Sequence, residues 1–300
     1  MKRKLVQQGA ATMMISLPAK WIKANSLNKG SEINLEQHNN SLIISGDRIN
    51  TKSETEIKIL TNVESSIRTL ITNTYRNGFD KIRVNFENEQ QFKILKHIIK
   101  SRLTGFDIIK KENNYCIVEN ITEPTEDQFE NILSKLLLNI EEFFEITKKR
   151  FENPKEIYDY EETSELIQKY DNFCRRIIIK YKYNNKKTEL LWAFLTLIIH
   201  GQRELHHLNK VLNENIKISK ETRELLVESE NLFKLVKKAY LEKDINLLSK
   251  IHNLEKEIMY KKGYSLLSKV KNQETKIVYH IMVASREFYQ ANSPLSGLII

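Results

Sequence analysis

Cysteine, proline and glycine are scarce in this sequence, at two, four and eight in 300 residues. Cys116 and Cys174 stand far apart, which suggests neither a disulfide framework nor a cysteine zinc site. So few helix breakers, beside abundant Leu, Ile, Lys and Glu, favour long helices over a loop-rich or all-β fold. Long apolar runs are also missing. The richest, residues 190–199, falls far short of the twenty or so residues that span a bilayer. Residues 12–17 are too short for the apolar centre of a signal sequence, and Pro18 interrupts them. The expectation is a cytoplasmic protein with no membrane insertion.

Signatures of chemistry are absent too. No Gly-rich loop of Walker or Rossmann type occurs, and His206-His207 lacks the order of a zinc-protease motif. Neither a Ser-His-Asp nor a Cys-His arrangement can be inferred. Cys174, beside Arg175 and Arg176 on a helix, reads as a packed thiol. An enzyme is not expected.

What is present is a globular composition, 40% hydrophobic and 29% charged, long enough for two or three domains. The first 45 residues organise the rest. Residues 12–17 read as a strand. Pro18 suits the first turn of a short helix over 19–25. Asn28-Lys29-Gly30 is a turn in which Gly30 can take positive φ. Ile33 and Leu35 alternate with polar neighbours as a half-buried strand should, a turn falls at His38-Asn39-Asn40, and residues 41–45 form the closing strand. So small a unit cannot build much core alone, and a homodimer is expected.

Charge sharpens this reading. Six bases (Lys2, Arg3, Lys4, Lys20, Lys23 and Lys29) precede the first acid, Glu32. The chain has 48 bases and 39 acids, so removing these six leaves 42 against 39. The basicity is local, and a concentrated positive patch on a dimerising β-rich module is the footprint of a phosphate-backbone binder.

Gly9, the Ser16-Leu17-Pro18 triplet, Lys20, Trp21, Leu27, Gly30 and the closing Leu42-Ile43-Ile44 give the head a resemblance to the SpoVT/AbrB-type DNA-binding domain. More closely, it is similar to the form at the head of archaeal PhoU-like phosphate uptake regulators. The chain departs from that pattern at Ala10, Ala11 and Ser31. The resemblance implies a swapped-hairpin β dimer gripping double-stranded DNA. Lys2, Arg3, Lys4, Lys20 and Lys23 would then supply phosphate contacts, which orient but do not specify sequence. Arg3, Gln7 and Gln8 have side chains suited to reading base edges.

Beyond a polar boundary at 46–53 the pattern changes. Residues 56–60 alternate like a strand, 67–74 recur at helical spacing up to a stop at Gly78, and 81–86 alternate again. A helical stripe runs from Phe92 to Leu103, and residues 106–109 and 115–121 read as a hairpin around Glu112-Asn113-Asn114. This predicts a small α/β unit of β-α-β-α-β-β order. Asp80 and Asp107, each after Gly-Phe, read as turn formers at strand starts. The fragments around 75–80 and 103–107 resemble the middle segment of the same PhoU-like proteins.

From Thr125 the chain reads as helix throughout. A capping-box pattern at 125–128 precedes an apolar stripe from Ile132 to Phe144. Pro154 closes that helix region. Further helices are predicted near 155–183, 188–213, 219–241, 244–271 and 274–291, with breaks at 184–185, 213–218 and 242–243, as two three-helix bundles side by side. The predicted fold is thus multidomain α+β: a β head over 1–47, an α/β unit over 54–122 and an all-α bundle over 125–293. The bundle resembles a PhoU domain in length and helix count.

PhoU domains carry paired carboxylates four residues apart, which share a helix face and can chelate a cation. Here Asp171 is preceded by Ile167, Arg203 pairs with His207, and Glu204 with Leu208. A divalent or iron cation would be left with Asp171, Glu204 and His207, so the motif is degraded and no cofactor is expected. The leading functional reading is a dimeric DNA-binding transcriptional regulator, with the resemblance pointing to phosphate uptake or related transport. The alternative is a cytoplasmic adaptor that regulates a transporter or sensor kinase by protein contact.

Overall fold

The computed structural model describes residues 2–38, 41–46, 52–122, 125–153, 159–181, 183, 187–212 and 216–300. The expected turn residues Asn39 and Asn40, most of the 46–53 boundary, Pro154 and the 184–185 break lie outside them. Contacts divide the chain into Met1–Ser53 and Glu54–Ile300. The α/β elements and the helices therefore share one unit, although their apolar cores are separate.

The first unit is two separate β-ribbons and a short helix. Strand β1 (Val6–Gln8) pairs antiparallel with β2 (Thr12–Met14), and β3 (Ile33–His38) with β4 (Ser41–Gly46); helix α1 (Ala19–Ala24) lies between the ribbons in sequence. The strand expected over 12–17 is shorter than predicted. It is also preceded by β1, which the apolar pattern does not announce. Gly9, at φ 77°, allows the chain to fold back between them. Asn25 ends α1, its Nδ2 donating to the Trp21 carbonyl at 2.8 Å.

The second unit begins with the predicted β-α-β-α-β-β order. Strand β5 (Glu54–Lys58), helix α2 (Glu64–Arg76), β6 (Lys81–Asn85), helix α3 (Glu89–Arg102), β7 (Phe106–Lys111) and β8 (Tyr115–Asn120) follow in turn. The sheet order is β5-β6-β8-β7, with β5 and β6 parallel and the other pairs antiparallel. Ile82 and Val84 of β6 lie opposite Val118 and Cys116 of β8, and these four are buried with Ile67, Ile71 and Tyr75 of α2 and Leu95 and Ile98 of α3. One sheet face is thus covered by both helices. Gly78 ends α2 with φ 87°, as its position predicts. At the start of α3 the Asn88 side chain accepts from the Gln91 amide (3.0 Å), while the Gln91 side chain accepts from the Glu87 amide (2.7 Å). One helix-entry donor, the Gln91 amide, is thereby capped, and the Gln91 side chain ties the residue before the cap to the helix.

The remaining helices are α4 (Phe129–Glu152), α5 (Tyr160–Tyr181), α6 (Thr188–Val211), α7 (Lys220–Glu242), α8 (Leu247–Lys256), α9 (Tyr264–Leu267), α10 (Gln273–Gln290) and α11 (Asn292–Ile299), with a π-helical stretch Glu257–Gly263 joining α8 to α9. The structure departs from the sequence reading in three respects. Thr125 makes no side-chain cap; a 3₁₀ turn, Glu126–Gln128, leads into α4 instead. The helical region runs past 293, because Pro294 sits in the first turn of α11, where a missing amide proton costs nothing. The buried apolar residues from Phe129 to Leu298 also form one continuous core, not two bundles side by side. Gly201 shows how closely that core is packed. A Cβ there would lie 2.4 Å from the Phe288 ring.

Helix α5 packs against α2 and α3 on one side and against α4 and α6 on the other. Its contact with the α/β elements is polar. Arg176, fully buried, donates to the carbonyls of Tyr75 and Phe79 (both 2.9 Å) and to Asp80 Oδ1 at 2.7 Å, and Lys180 reaches the same carboxylate. Asp80 is therefore not a turn former but half of a buried ion pair between elements 96 residues apart in sequence. Asp107 does act locally, accepting from the Ile108 amide at 2.7 Å. Removing one partner of a buried pair leaves the other charge uncompensated, at a cost of about 3–5 kcal/mol. Asp80→Ala is accordingly expected to lower the unfolding free energy of the full chain, measured by urea titration, by that order. Glu54→Ala, which breaks the solvent-facing pair with Lys81, is expected to leave it nearly unchanged.

Candidate nucleic-acid interface

Residues 1–53 carry eight bases and three acids, five of the nine net positive charges of the whole chain. Lys2, Arg3 and Lys4 are exposed and precede β1, outside any helix or strand. Lys20 and Lys23, three apart on α1, share a helix face and are both exposed. Lys29 is exposed in the turn at Gly30.

The expected base-reading pair separates. In the β1–β2 register Val6 lies opposite Met14, Gln7 opposite Met13, and Gln8 opposite Thr12. Because successive side chains alternate between faces, Gln7 shares one face with Met13 while Gln8 shares the other with Val6, Thr12 and Met14. A single groove can be read from this ribbon by one glutamine, not by both.

Apolar side chains in the head have little to pack on. No residue of the described head is buried. Leu5, Val6, Met13, Met14 and Ile15 are exposed, and in the second ribbon Leu35 and Leu42 are 57% and 58% exposed. Ile33, Leu35, Leu42 and Ile44 fall on one face of that ribbon, since Leu35 lies opposite Ile44 and the register steps by two. An apolar stripe left in water by a single chain is a surface that needs a cover.

The residual metal set does not assemble. The Asp171 carboxylate, 1% exposed, is engaged by Arg76 Nη2 (2.9 Å) and Arg175 Nε (2.7 Å). Glu204 instead pairs with His280 Nδ1 at 2.8 Å. His207 is exposed, its ring 6.0 Å from that of His280. No three acidic, histidine or cysteine side chains that could hold a metal converge among the described residues. One half of the pairing that takes up Asp171 is the i,i+4 contact with Arg175; the other comes from Arg76, 95 residues away, which spacing within α5 could not reveal. Cys174 is buried, and burial raises its thiol well above the ordinary value, as a packed cysteine requires.

His206 and Glu161 form the most distinctive titrating pair, with Nε2 and Oε2 at 3.0 Å. Burial holds the His206 imidazole below its ordinary value against the pull of Glu161. Burial also works to raise Glu161, but the hydrogen bond and charge of His206 outweigh it and leave the carboxyl below its usual range. Both folded-state values are lowered, so the unfolded chain binds protons first and each contribution is lost as pH falls. The His206 contribution is present above the unfolded value of about 6.5 and disappears below it; that of Glu161 disappears at more acid pH. Urea unfolding is expected to show lower stability at pH 5.5 than at pH 7.5, with a smaller difference in His206→Gln.

Comparison of the chain with models of known protein families, with curated proteins and with solved structures returned no match.

Proposed function

We propose that the protein is a DNA-binding regulator that grips double-stranded DNA as a homodimer through residues 1–53, with phosphate uptake or related transport as the regulated process. The observation that carries this reading is a pair of features on one small module. The module holds a dense set of exposed cations and exposes an apolar ribbon face that it has no means of covering itself. A second copy of the same module is the simplest cover for the ribbon. It also doubles the cationic surface, which is the arrangement a two-fold duplex contact needs. Lys2, Arg3, Lys4, Lys20 and Lys23 are assigned to phosphates, and one of Gln7 and Gln8 to base edges, as the ribbon alternation requires.

The reading predicts a dimer by sedimentation and binding that weakens steeply with salt. Replacing Lys2, Arg3 and Lys4 by alanine is expected to reduce the slope of log K against log salt by about 0.9 for each phosphate contact removed. Leu35→Glu combined with Leu42→Glu is expected to yield monomers and abolish DNA binding. An unchanged salt slope in the triple variant would count against the patch. A dimer that ignores DNA would leave the head as a dimerisation device and move the working surface to the helices, as an adaptor of a transporter or sensor kinase requires.

A further inference from the structure

One side of α3 turns a mixture of apolar and cationic side chains toward β7. Phe92, Lys96, Ile99, Lys100 and Leu103 stand at i, i+4, i+7, i+8 and i+11, on one side of the helix. With Phe106 and Ile108 of β7 they line a cleft of about 580 Å³, within the range of about 300–1,000 Å³ usual for small-molecule sites. Its apolar members belong to the core beneath the sheet or pack against it, so the cleft rests on a closed interior. Ile121 completes the apolar lining. Its amide donates to the Gly105 carbonyl at 2.7 Å, and a Cβ at Gly105, φ 78°, would lie 2.2 Å from the Thr122 carbonyl oxygen. This tight turn holds in place a side chain that remains 63% exposed.

The polar lining is one-sided. The ammonium groups of Lys96 and Lys100 have no hydrogen-bond or ion-pair partner among the described residues, and Lys169 of α5 donates to the Lys100 carbonyl at 3.5 Å. Asp107 is the one carboxylate among the lining residues, and it already accepts from the Ile108 amide. At the Phe92 end Lys111 sits over the ring, 4.1 Å from its centroid, and is neutralised by Glu89 at 2.9 Å. Three lining ammoniums against one carboxylate leave an excess of two positive charges around an apolar cleft. The surroundings also limit what can fill it. An added peptide strand needs a regular row of free backbone groups, but β7 is interrupted by a bulge between Ile108 and Lys110, and Asp107 takes the Ile108 amide. A second copy of the same face would set lysines against lysines. The end of α3 nearest Lys100 is its C-terminal one, whose free carbonyls favour cations and oppose a dianion.

We propose that this cleft binds a medium- or long-chain aliphatic carboxylate, with the head among Lys96, Lys100 and Lys169 and the chain along Phe106, Ile108 and Ile121. A single negative charge suits ammoniums that share their surroundings with Asp107 and a helix C-terminus. The chain takes the exposed Ile121 side chain out of water, which is the apolar gain that a bare anion lacks. This inference is independent of the DNA-binding reading, since none of its residues lies in the head.

Isothermal titration of the full chain at constant ionic strength tests it, with decanoate in one arm, acetate in a second and 1-decanol in a third. The expected result is saturable one-to-one binding of decanoate, none of acetate, and weaker binding of the alcohol. Lys96→Gln combined with Lys100→Gln is expected to weaken decanoate binding about three- to tenfold. Ile121→Asp, which removes the apolar contact and adds a repelling charge, is expected to abolish it. Both variants change exposed side chains, so the urea midpoint without ligand should stay where it is in the parent. Lys135→Gln combined with Lys250→Gln, which removes two exposed cations that do not line the cleft, should leave the affinity unchanged. No saturable heat with decanoate, equal affinity in the parent and the Lys96/Lys100 variant, or an alcohol bound as tightly as the acid would overturn the proposal.

Discussion

The buried guanidinium of Arg176 is the constraint on which the second unit depends. An ion of that size carries a heavy desolvation cost, and it is tolerated only because two carbonyls and a carboxylate surround it. Those acceptors sit at one place in the α/β elements, where α2 ends and the chain turns into β6. The ion pair therefore fixes which part of the α/β elements meets α5. Hydrophobic burial supplies most of the driving force on either side, in two separate cores. Apolar surfaces can slide, whereas a charge with three directional acceptors cannot.

The head follows the opposite logic. Its described cations and much of its apolar surface lie in water, and none of its described residues is buried. Its structure is held by ribbon hydrogen bonds, two positive-φ glycines and a local helix cap. A module of this size with so little core would gain stability by association. The two units thus differ in how their polar groups are satisfied, one through buried directional contacts and the other through exposed charge.

Much of the second unit was legible in the sequence because its signals are local. Alternation in 81–85, the 3.6-residue stripes of α3 and α4, and Gly78 at a helix end all act within a few residues. What escaped depends on distance or on weak local cues. The strand β1 is three residues long and carries two glutamines, so no apolar alternation marks it. Pro294 and Gly297 look like the end of a helix but lie inside α11. Asp171 fitted a metal ligand by position in α5, and only the fold brings Arg76 beside it.

The two cysteines carry a further consequence. Cys116 lies in the core beneath the sheet and Cys174 in the helical core, both buried. Burial raises both thiols, Cys116 to about 12. Neither reacts while its own core is closed, so the rate of alkylation at each sulfur clocks the opening of one core separately from the other. The chain thus contains, without any engineered label, two chronometers for local unfolding on either side of the Arg176 ion pair.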